Sequence, residues 1–507
     1  MTPSSIKELM TDSCVLLTGV TGFVGGSLLE RILCLTPGPE KIFVLVRKKQ
    51  GVDPQDRLKT ILSSPLFSGV HPDKLQRVQV IPGDITQDGL GLSSSDSNLL
   101  ISKCTHVFHV AAFISFAAQL DLAIRINLLG SRQVLHLAKR MINIQAMVYV
   151  STAYANCTKE NTVLEEKLYP TAIDPVKFIE MVKNLSSVEI QKMSAELMGN
   201  HPNTYTLTKQ MAENLLIAEK EHVPLSIVRP SIVLNTWKTP FPGWVDNVHN
   251  GACAFIAGVT KGLFRTFQAN PDAIQDVIPA DMVVSTILAS ALHAAVHPRD
   301  LNIFHCTSSA VNSTTWGRYC ERVVTACRNH PCEDAVWYPA ARPRTNHLRN
   351  VIVLYMFQIL PAIILDFVMQ RFGRKTPLLE IQYRYFKGTK YTSYFTNSQW
   401  YFGRDNASAL LNILPADELE EHPMDPKAIE WDSYFENCVI GMRRYFFKDS
   451  EMTTKKALRQ MKRLKIISAV TPFLSFLLFW GLISLMGLSS ITAACFGGAL
   501  VLFLIWL

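Results

Sequence analysis

Short, almost wholly apolar runs recur along the first part of the chain, and each gives way to residues with a different rhythm. The runs are residues 13–17, 41–46, 78–82, 106–110 and 146–150. Each has the length and apolar character of a strand. Between them, residues 27–33 and 121–141 carry apolar positions at helical spacing. Strands alternating with helices predict a parallel sheet wound with helices on both faces, in which ligands bind beyond the carboxyl ends of the strands.

The residues at those ends therefore matter most. The first run leads into Thr18-Gly19-Val20-Thr21-Gly22-Phe23-Val24-Gly25 and then a helix-like stretch. Glycines at 19, 22 and 25 permit a tight turn, close approach to a pyrophosphate, and close helix packing, although the spacing is GxxGxxG rather than the commoner GxGxxG. The second run ends at Arg47, followed by Lys48 and Lys49. An acidic residue there would take a ribose 2′-hydroxyl; an arginine suits the 2′-phosphate, so the cofactor expected is NADPH. A solvated basic strand end is the plain alternative. The third run leads to Gly83-Asp84-Ile85, where Asp84 either accepts from an adenine amino group or serves as a turn residue. After the fourth, Ala111 and Ala112 are small enough to admit a cofactor, and the fifth ends in Ser151 and Thr152.

A hydroxyl at a strand end is usually a cap. Its significance changes with Tyr205 and Lys209, which lie four apart and share one face of a helix. There the ammonium is expected to lower the phenol's pKa and make it a ready proton donor, with Thr152 or Ser151 gripping a carbonyl.

Together these motifs resemble the extended short-chain dehydrogenases/reductases. The match narrows to the alcohol-forming fatty acyl-CoA reductases through Val150-Ser151-Thr152-Ala153-Tyr154-Ala155-Asn156, Val228-Arg229-Pro230-Ser231-Ile232-Val233 and Pro240-Phe241-Pro242-Gly243-Trp244-Val245-Asp246-Asn247. Residues 361–377, with Asp366, Arg371, Gly373 and Arg374, look like that family's C-terminal domain. The resemblance implies Tyr205 as proton donor, Lys209 on the nicotinamide ribose, Thr152 rather than Ser151 as the catalytic hydroxyl, and Pro230 and Ile232 beside the nicotinamide. It makes Asn127 a pocket-shaping or relay residue, with a plain buried asparagine as the alternative. Trp244 and Asp246 either help close the substrate cleft or form a structural turn. The substrate implied is a long-chain acyl-CoA, reduced through an aldehyde to a primary alcohol. Rivals are a reductase that stops at the aldehyde, a membrane-bound hydroxysteroid dehydrogenase, and a membrane-tethered nucleotide-binding scaffold.

The composition adds a membrane. Apolar residues make up 48% and charged residues 18%, and the net charge is +8. No arginine-rich, aromatic-laced patch points to nucleic acid. The eleven cysteines include no CxxC and read as reduced thiols, with no metal site expected. Residues 1–12 are polar and do not read as a secretory signal. Residues 466–488 are uncharged and follow Lys455, Lys456, Arg459, Lys462, Arg463 and Lys465, which reads as a bilayer-spanning anchor with the enzyme on the cytosolic side. A second apolar run, 491–507, makes a hairpin or an embedded tail. Residues 351–365 are uncharged but short of a span, interrupted by Pro361 and bounded by Asp366; they read as a buried helix pair, an acyl-tunnel wall or a membrane-facing helix. The basic and aromatic mixture at 383–391 reads as ordinary surface.

The expected organisation is α/β: a tail (1–12), a Rossmann-type reductase domain (13–350), a smaller, mostly helical domain (351–450), a basic linker (451–465) and an anchor (466–507). Similar animal proteins suggest the peroxisomal membrane, with the endoplasmic reticulum as alternative. A homo-oligomer stays open.

Overall fold

The computed structural model describes residues 3–248, 251–373, 376–449 and 453–485. The chain divides into two compact units that interleave in sequence. One comprises Met1–Asn250, Ile274–Thr314 and Ser398–Tyr434; the other comprises Gly251–Ala273, Thr315–Asn397 and Phe435–Leu507. The single linear boundary placed at residue 350 is thus replaced by repeated crossings.

The first unit is built on a seven-stranded sheet. Its strands are β1 (Cys14–Thr18), β2 (Lys41–Val46), β3 (Val78–Pro82), β4 (His106–His109), β5 (Ala146–Val150), β6 (Leu225–Pro230) and β7 (Asn302–Cys306). Their spatial order is β7-β6-β5-β4-β1-β2-β3, and every neighbouring pair is parallel. The order reverses between β1 and β4, and that switch point is where such sheets open a ligand crevice. The strand residues of β1, β4, β5 and β6 are all buried, as a doubly covered sheet requires.

Helix α1 (Phe23–Cys34) follows the glycine turn. Helix α2 (Gly130–Arg140) continues a π-helical stretch, Ile124–Leu129, and α3 (Thr204–Glu219) packs on both. Helix α4 (Ala280–Val296) packs on β5 and β6 and against α1. Leu16, Phe43, Val107, Met147, Leu216 and Ile227 belong to the resulting core. Fully burying each such side chain stabilises by about 1.5–3 kcal/mol.

In the second unit, residues His347–Arg371 form one long helical run: α5 (His347–Leu354), a π-helical stretch Tyr355–Ile359, and α6 (Leu360–Arg371). Pro361 and Asp366 do not break it. The wider π turn lies just before Pro361, where an α-helix would lose a hydrogen bond and crowd the preceding carbonyl. By length and composition this run could cross a membrane, and only 22% of its most apolar window is buried. The buried helix pair is therefore corrected to a largely exposed apolar helix. It is followed by α7 (Leu378–Asn397) and, later, α8 (Lys455–Leu485). The basic stretch at 455–465, expected as a linker, is helical and continuous with the apolar residues after it. Arg374 and the second apolar run, 491–507, lie outside the described residues. Every cysteine among the described residues is free.

Candidate active site

Thr18 ends β1, and the chain then turns through Gly19 at φ +81°. A Cβ at Gly19 would lie 2.5 Å from the Ala111 nitrogen beyond β4, and one at Gly25 would lie 2.2 Å from the Gly19 carbonyl oxygen. Both positions therefore need glycine. Gly22 donates to the Gly19 carbonyl at 2.9 Å and is the N-cap of α1. That end has no side-chain cap and no acidic residue in its first turn, so the amides around Phe23 and Val24 stay open beside the exposed Thr21 and Gly22. Open donors, the positive helix end and the missing Cβ atoms suit a pyrophosphate.

Beyond the next strands, Arg47 Nη1 lies 3.7 Å from Asp84 Oδ2. Asp84 Oδ1 accepts from the Thr86 amide at 3.0 Å and the Thr86 hydroxyl at 2.9 Å, so Asp84 is built as a turn residue with one oxygen toward Arg47. Ile85 packs over Gly130 at the head of α2, where a Cβ would come within 3.1 Å of its carbonyl oxygen. Ala111 donates to Thr18 Oγ1 at 3.3 Å, and Ala111 and Ala112 are half-buried.

Asn203 starts α3, its side chain accepting from the Thr206 amide at 2.9 Å. One turn on, Lys209 is 1% exposed; its Nζ donates to the Val150 carbonyl at 2.6 Å and sits 4.5 Å from the centre of the Tyr149 ring. The helix is thereby fastened to the carboxyl end of β5, where Thr152 stands. Thr152 Oγ1 accepts from the Tyr154 amide at 3.3 Å, lies 3.4 Å from the Pro230 carbonyl oxygen, and is near enough to Tyr205 to lower the pKa of its phenol. Thr152, Tyr205 and Lys209 thus meet at one strand end. Phe116 covers the phenol, the ring centres 6.0 Å apart.

The electrostatics differ from expectation. Burial pushes the Tyr205 phenol up to about 12, opposed by the nearby Thr152 hydroxyl. Burial also pulls the Lys209 ammonium down to about 7, opposed by the charge of Glu213. The expected lowering of the phenol by the lysine is not realised. Desolvation penalises both charged forms, and Nζ is committed to a carbonyl.

Two buried hydroxyls, Ser151 Oγ and Ser231 Oγ, have no hydrogen-bond partner. They stand just past the ends of the adjacent strands β5 and β6. Buried polar groups are nearly always satisfied, so a pair of orphans at strand ends fits a ligand that completes them. Ile232 continues from Ser231, its amide donating to the Asp276 carbonyl at 3.3 Å.

Asn127 lies in the π-helical stretch, a distortion frequent at functional sites. Its Oδ1 accepts from the Phe113 amide at 2.8 Å, and its Nδ2 donates to the Phe113 carbonyl at 3.1 Å and to Thr208 Oγ1 at 3.1 Å. It joins the loop after β4 to the helix of Tyr205. Trp244 is part of a hydrogen-bonded turn: its amide donates to Thr236 Oγ1 at 2.9 Å, its ring stands edge-on to Phe241, and Gly243 has φ +77°. Asp246 accepts from the Asn247 side chain.

Several residues of this region escaped the sequence reading. His109 links Thr18 Oγ1 (2.7 Å) to Ser131 Oγ (3.0 Å), and Ser131 donates to the Asn127 carbonyl at 2.7 Å. Glu213 receives a bidentate bond from Arg229, at 2.9 and 2.7 Å, with both side chains 1% exposed. Arg229 Nη1 is also 3.2 Å from His305 Nε2. The available signals were an arginine inside an apolar strand and a glutamate four residues after the lysine, on the same helix face. Among the described residues no cluster of His, Cys, Asp or Glu could hold a metal ion.

Comparison with known proteins agrees with this geometry. Family models described as male sterility protein match residues 17–287, by the NAD-binding part, and residues 357–449. Fatty acyl-CoA reductase 1 of Mus musculus is 33% identical over 91% of this chain and 90% of its own length. Fatty acyl-CoA reductase 2 of Bos taurus is 33% identical over 95% and 93%. In fold, the terminal R domain from the myxalamid biosynthetic pathway superposes with a TM-score of 0.58 at 18% identity, covering 86% of this chain and 92% of that one. The reductase domain of a nonribosomal peptide synthetase from Mycobacterium tuberculosis gives 0.52 at 17% identity, covering 85% and 91%. The chain is an oxidoreductase with a nicotinamide-cofactor domain, and it belongs to the fatty acyl-CoA reductase family.

Proposed function

We propose that the protein reduces a long-chain fatty acyl-CoA to the primary alcohol, through the aldehyde, using NADPH. The observation that carries the reading is the meeting of Thr152, Tyr205 and Lys209 at the carboxyl end of β5, in a sheet whose first turn is a glycine cradle. The bound cofactor supplies hydride. Tyr205 and Thr152 hold the substrate's carbonyl oxygen as it gains negative charge, and Tyr205 delivers the proton that neutralises it. Lys209, fastened to the Val150 carbonyl, would hold the ribose of the bound nicotinamide cofactor. Collapse of the resulting hemithioacetal returns its hydroxyl proton as CoA leaves as the thiol, giving an aldehyde; once the oxidised cofactor is exchanged for a second NADPH, the same three groups serve the reduction to the alcohol. No nucleophilic cysteine is required: Cys157, five residues from Thr152, is buried and its thiol is pushed up to about 12 by desolvation.

The role of Arg47 is to take the 2′-phosphate and so favour NADPH. Lys455 to Lys465 and the apolar residues that follow anchor the enzyme in a membrane, at the peroxisome or the endoplasmic reticulum, with its catalytic unit in the cytosol. An acyl chain stored in bilayers and a CoA head group dissolved in water suit that placement. Incubating the purified protein with palmitoyl-CoA and either NADPH or NADH, and identifying the lipid product, tests the whole reading. Alcohol formed with NADPH is expected. Aldehyde released without alcohol removes the second reduction, and equal use of NADH removes the role of Arg47.

A further inference from the structure

The long helix His347–Arg371 carries more apolar surface than it buries. The residues it buries are Asn350, Val353, Leu354, Gln358 and Ala362, so its packed side mixes apolar and polar groups. The two polar ones act as fastenings. Asn350 Oδ1 accepts from Thr266 Oγ1 at 2.5 Å, Gln358 Oε1 accepts from the Arg265 and Thr266 amides at 2.5 and 3.0 Å, and Gln358 Nε2 donates to Gln382 Oε1 at 3.0 Å. The opposite stripe is apolar and exposed: Met356 44%, Leu360 45%, Ile363 45%, Ile364 53%, Phe367 56% and Phe372 78%. In water a helix turns its apolar residues inward; here a second set of large apolar side chains stays outside the packed face.

The next helix completes the pattern. Asp366 binds the start of α7, accepting from Thr376 Oγ1 at 2.5 Å and from the Leu378 and Leu379 amides at 3.2 and 2.8 Å. The carboxylate thus accepts three hydrogen bonds at the start of α7 and ties the two helices together. The outer face of α7 mixes exposed Tyr383, Phe386 and Tyr391 with exposed Arg384, Lys387 and Lys390. Aromatic rings interleaved with cations suit the headgroup layer of an anionic bilayer, whereas the wholly apolar stripe suits its acyl region.

We propose that α6 and α7 form a second membrane contact, a hairpin that lies in the bilayer surface without crossing it. Its occupant is phospholipid. Two features favour lipid over a second copy of the chain. The cations of α7 complement anionic headgroups, and α8, with its basic collar, is docked on the same unit through Leu464, packed with Cys332 and Ala335. A spanning arrangement is disfavoured by the fastening of one whole stripe, through Asn350 and Gln358, to the body of the unit. The inference does not rest on the reduction chemistry.

The test uses the full chain in vesicles of phosphatidylcholine and phosphatidylserine, with photoreactive benzoylphenylalanine at Ile364, at Phe372 or, as control, at the exposed Ile142 of the other unit. Phospholipid adducts, identified by mass spectrometry, should be several-fold more abundant at Ile364 and Phe372 than at Ile142. Adducts no higher than the control, or cross-links to a second copy of the chain, would overturn the proposal. Phe367→Glu with Phe372→Glu should lower the adduct yield at Ile364 several-fold while NADPH oxidation in detergent is unchanged; an unchanged yield would contradict it. If that double variant does not fold, the photolabelling pattern of the otherwise unaltered chain decides.

Discussion

Two helices of this protein bury polar side chains, for opposite ends. On α3, Thr206, Thr208, Lys209, Gln210 and Glu213 are buried. Among them is an ammonium pulled far from its usual range, and beside them stand two hydroxyls that lack partners. On the helix His347–Arg371, Asn350 and Gln358 are buried too, yet each has its hydrogen bonds, and neither carries a charge. A buried polar residue is therefore no mark of a reactive site. What marks one is an unfinished electrostatic account: shifted ionisable groups, unmet donors and a cradle that only glycine permits.

The difference can be broken experimentally. The largest effect is expected from Arg229→Met, which leaves Glu213 buried and uncompensated. It should lower stability by about 3–5 kcal/mol, read by denaturant unfolding in detergent. Gln358→Ala leaves the Arg265 and Thr266 amides without an acceptor and should cost about 1–3 kcal/mol in the same assay, with NADPH turnover per folded molecule retained.

A pH profile sharpens the contrast further. Lys209 loses its proton as pH rises through about 7, so a step that needs the ammonium declines on the alkaline side. The charge of Glu213 raises that value, so Glu213→Gln should move the alkaline limb of kcat/KM to lower pH; an unmoved limb would separate Lys209 from the rate. The smallest effect concerns Arg47, which is half-exposed. Arg47→Asp should weaken NADPH binding by roughly tenfold, about 1.4 kcal/mol, while NADH binding changes little, as measured by fluorescence titration.

The first five strands of the parallel sheet were legible because each lies in a largely apolar run, whereas β6 and β7, interrupted by Ser226, Arg229 and His305, were not read as strands. The glycine turn was legible because positive φ and close backbone approach leave only one residue type. Tyr205 and Lys209 were legible as a pair by spacing alone, but their pKa values were not. The lysine's partner turned out to be the Val150 carbonyl, and the dryness around both groups comes from β5, the 111–116 loop and Thr152 together. The Glu213–Arg229 pair joins α3 to β6; each residue stands out locally, but only the fold brings the two together. The apolar stretch at 351–365 was visible as apolar, but the sequence left a buried pair, a tunnel wall and a membrane-facing helix all open. Hydropathy counts residues, whereas only the fold shows which stripe Asn350 and Gln358 occupy.

The central claim is that Tyr205 protonates the carbonyl of an acyl-CoA held at the end of β5. Measuring NADPH consumed and lipid formed from a long-chain acyl-CoA, for the unaltered protein and for Tyr205→Phe side by side, tests it most directly. The account predicts two NADPH oxidised per primary alcohol in the unaltered protein. In Tyr205→Phe it predicts a loss of roughly 10²–10⁴-fold in turnover, with cofactor affinity unchanged. Alcohol produced at an undiminished rate by Tyr205→Phe, or no oxidation of NADPH by the unaltered protein with any acyl-CoA, would contradict it.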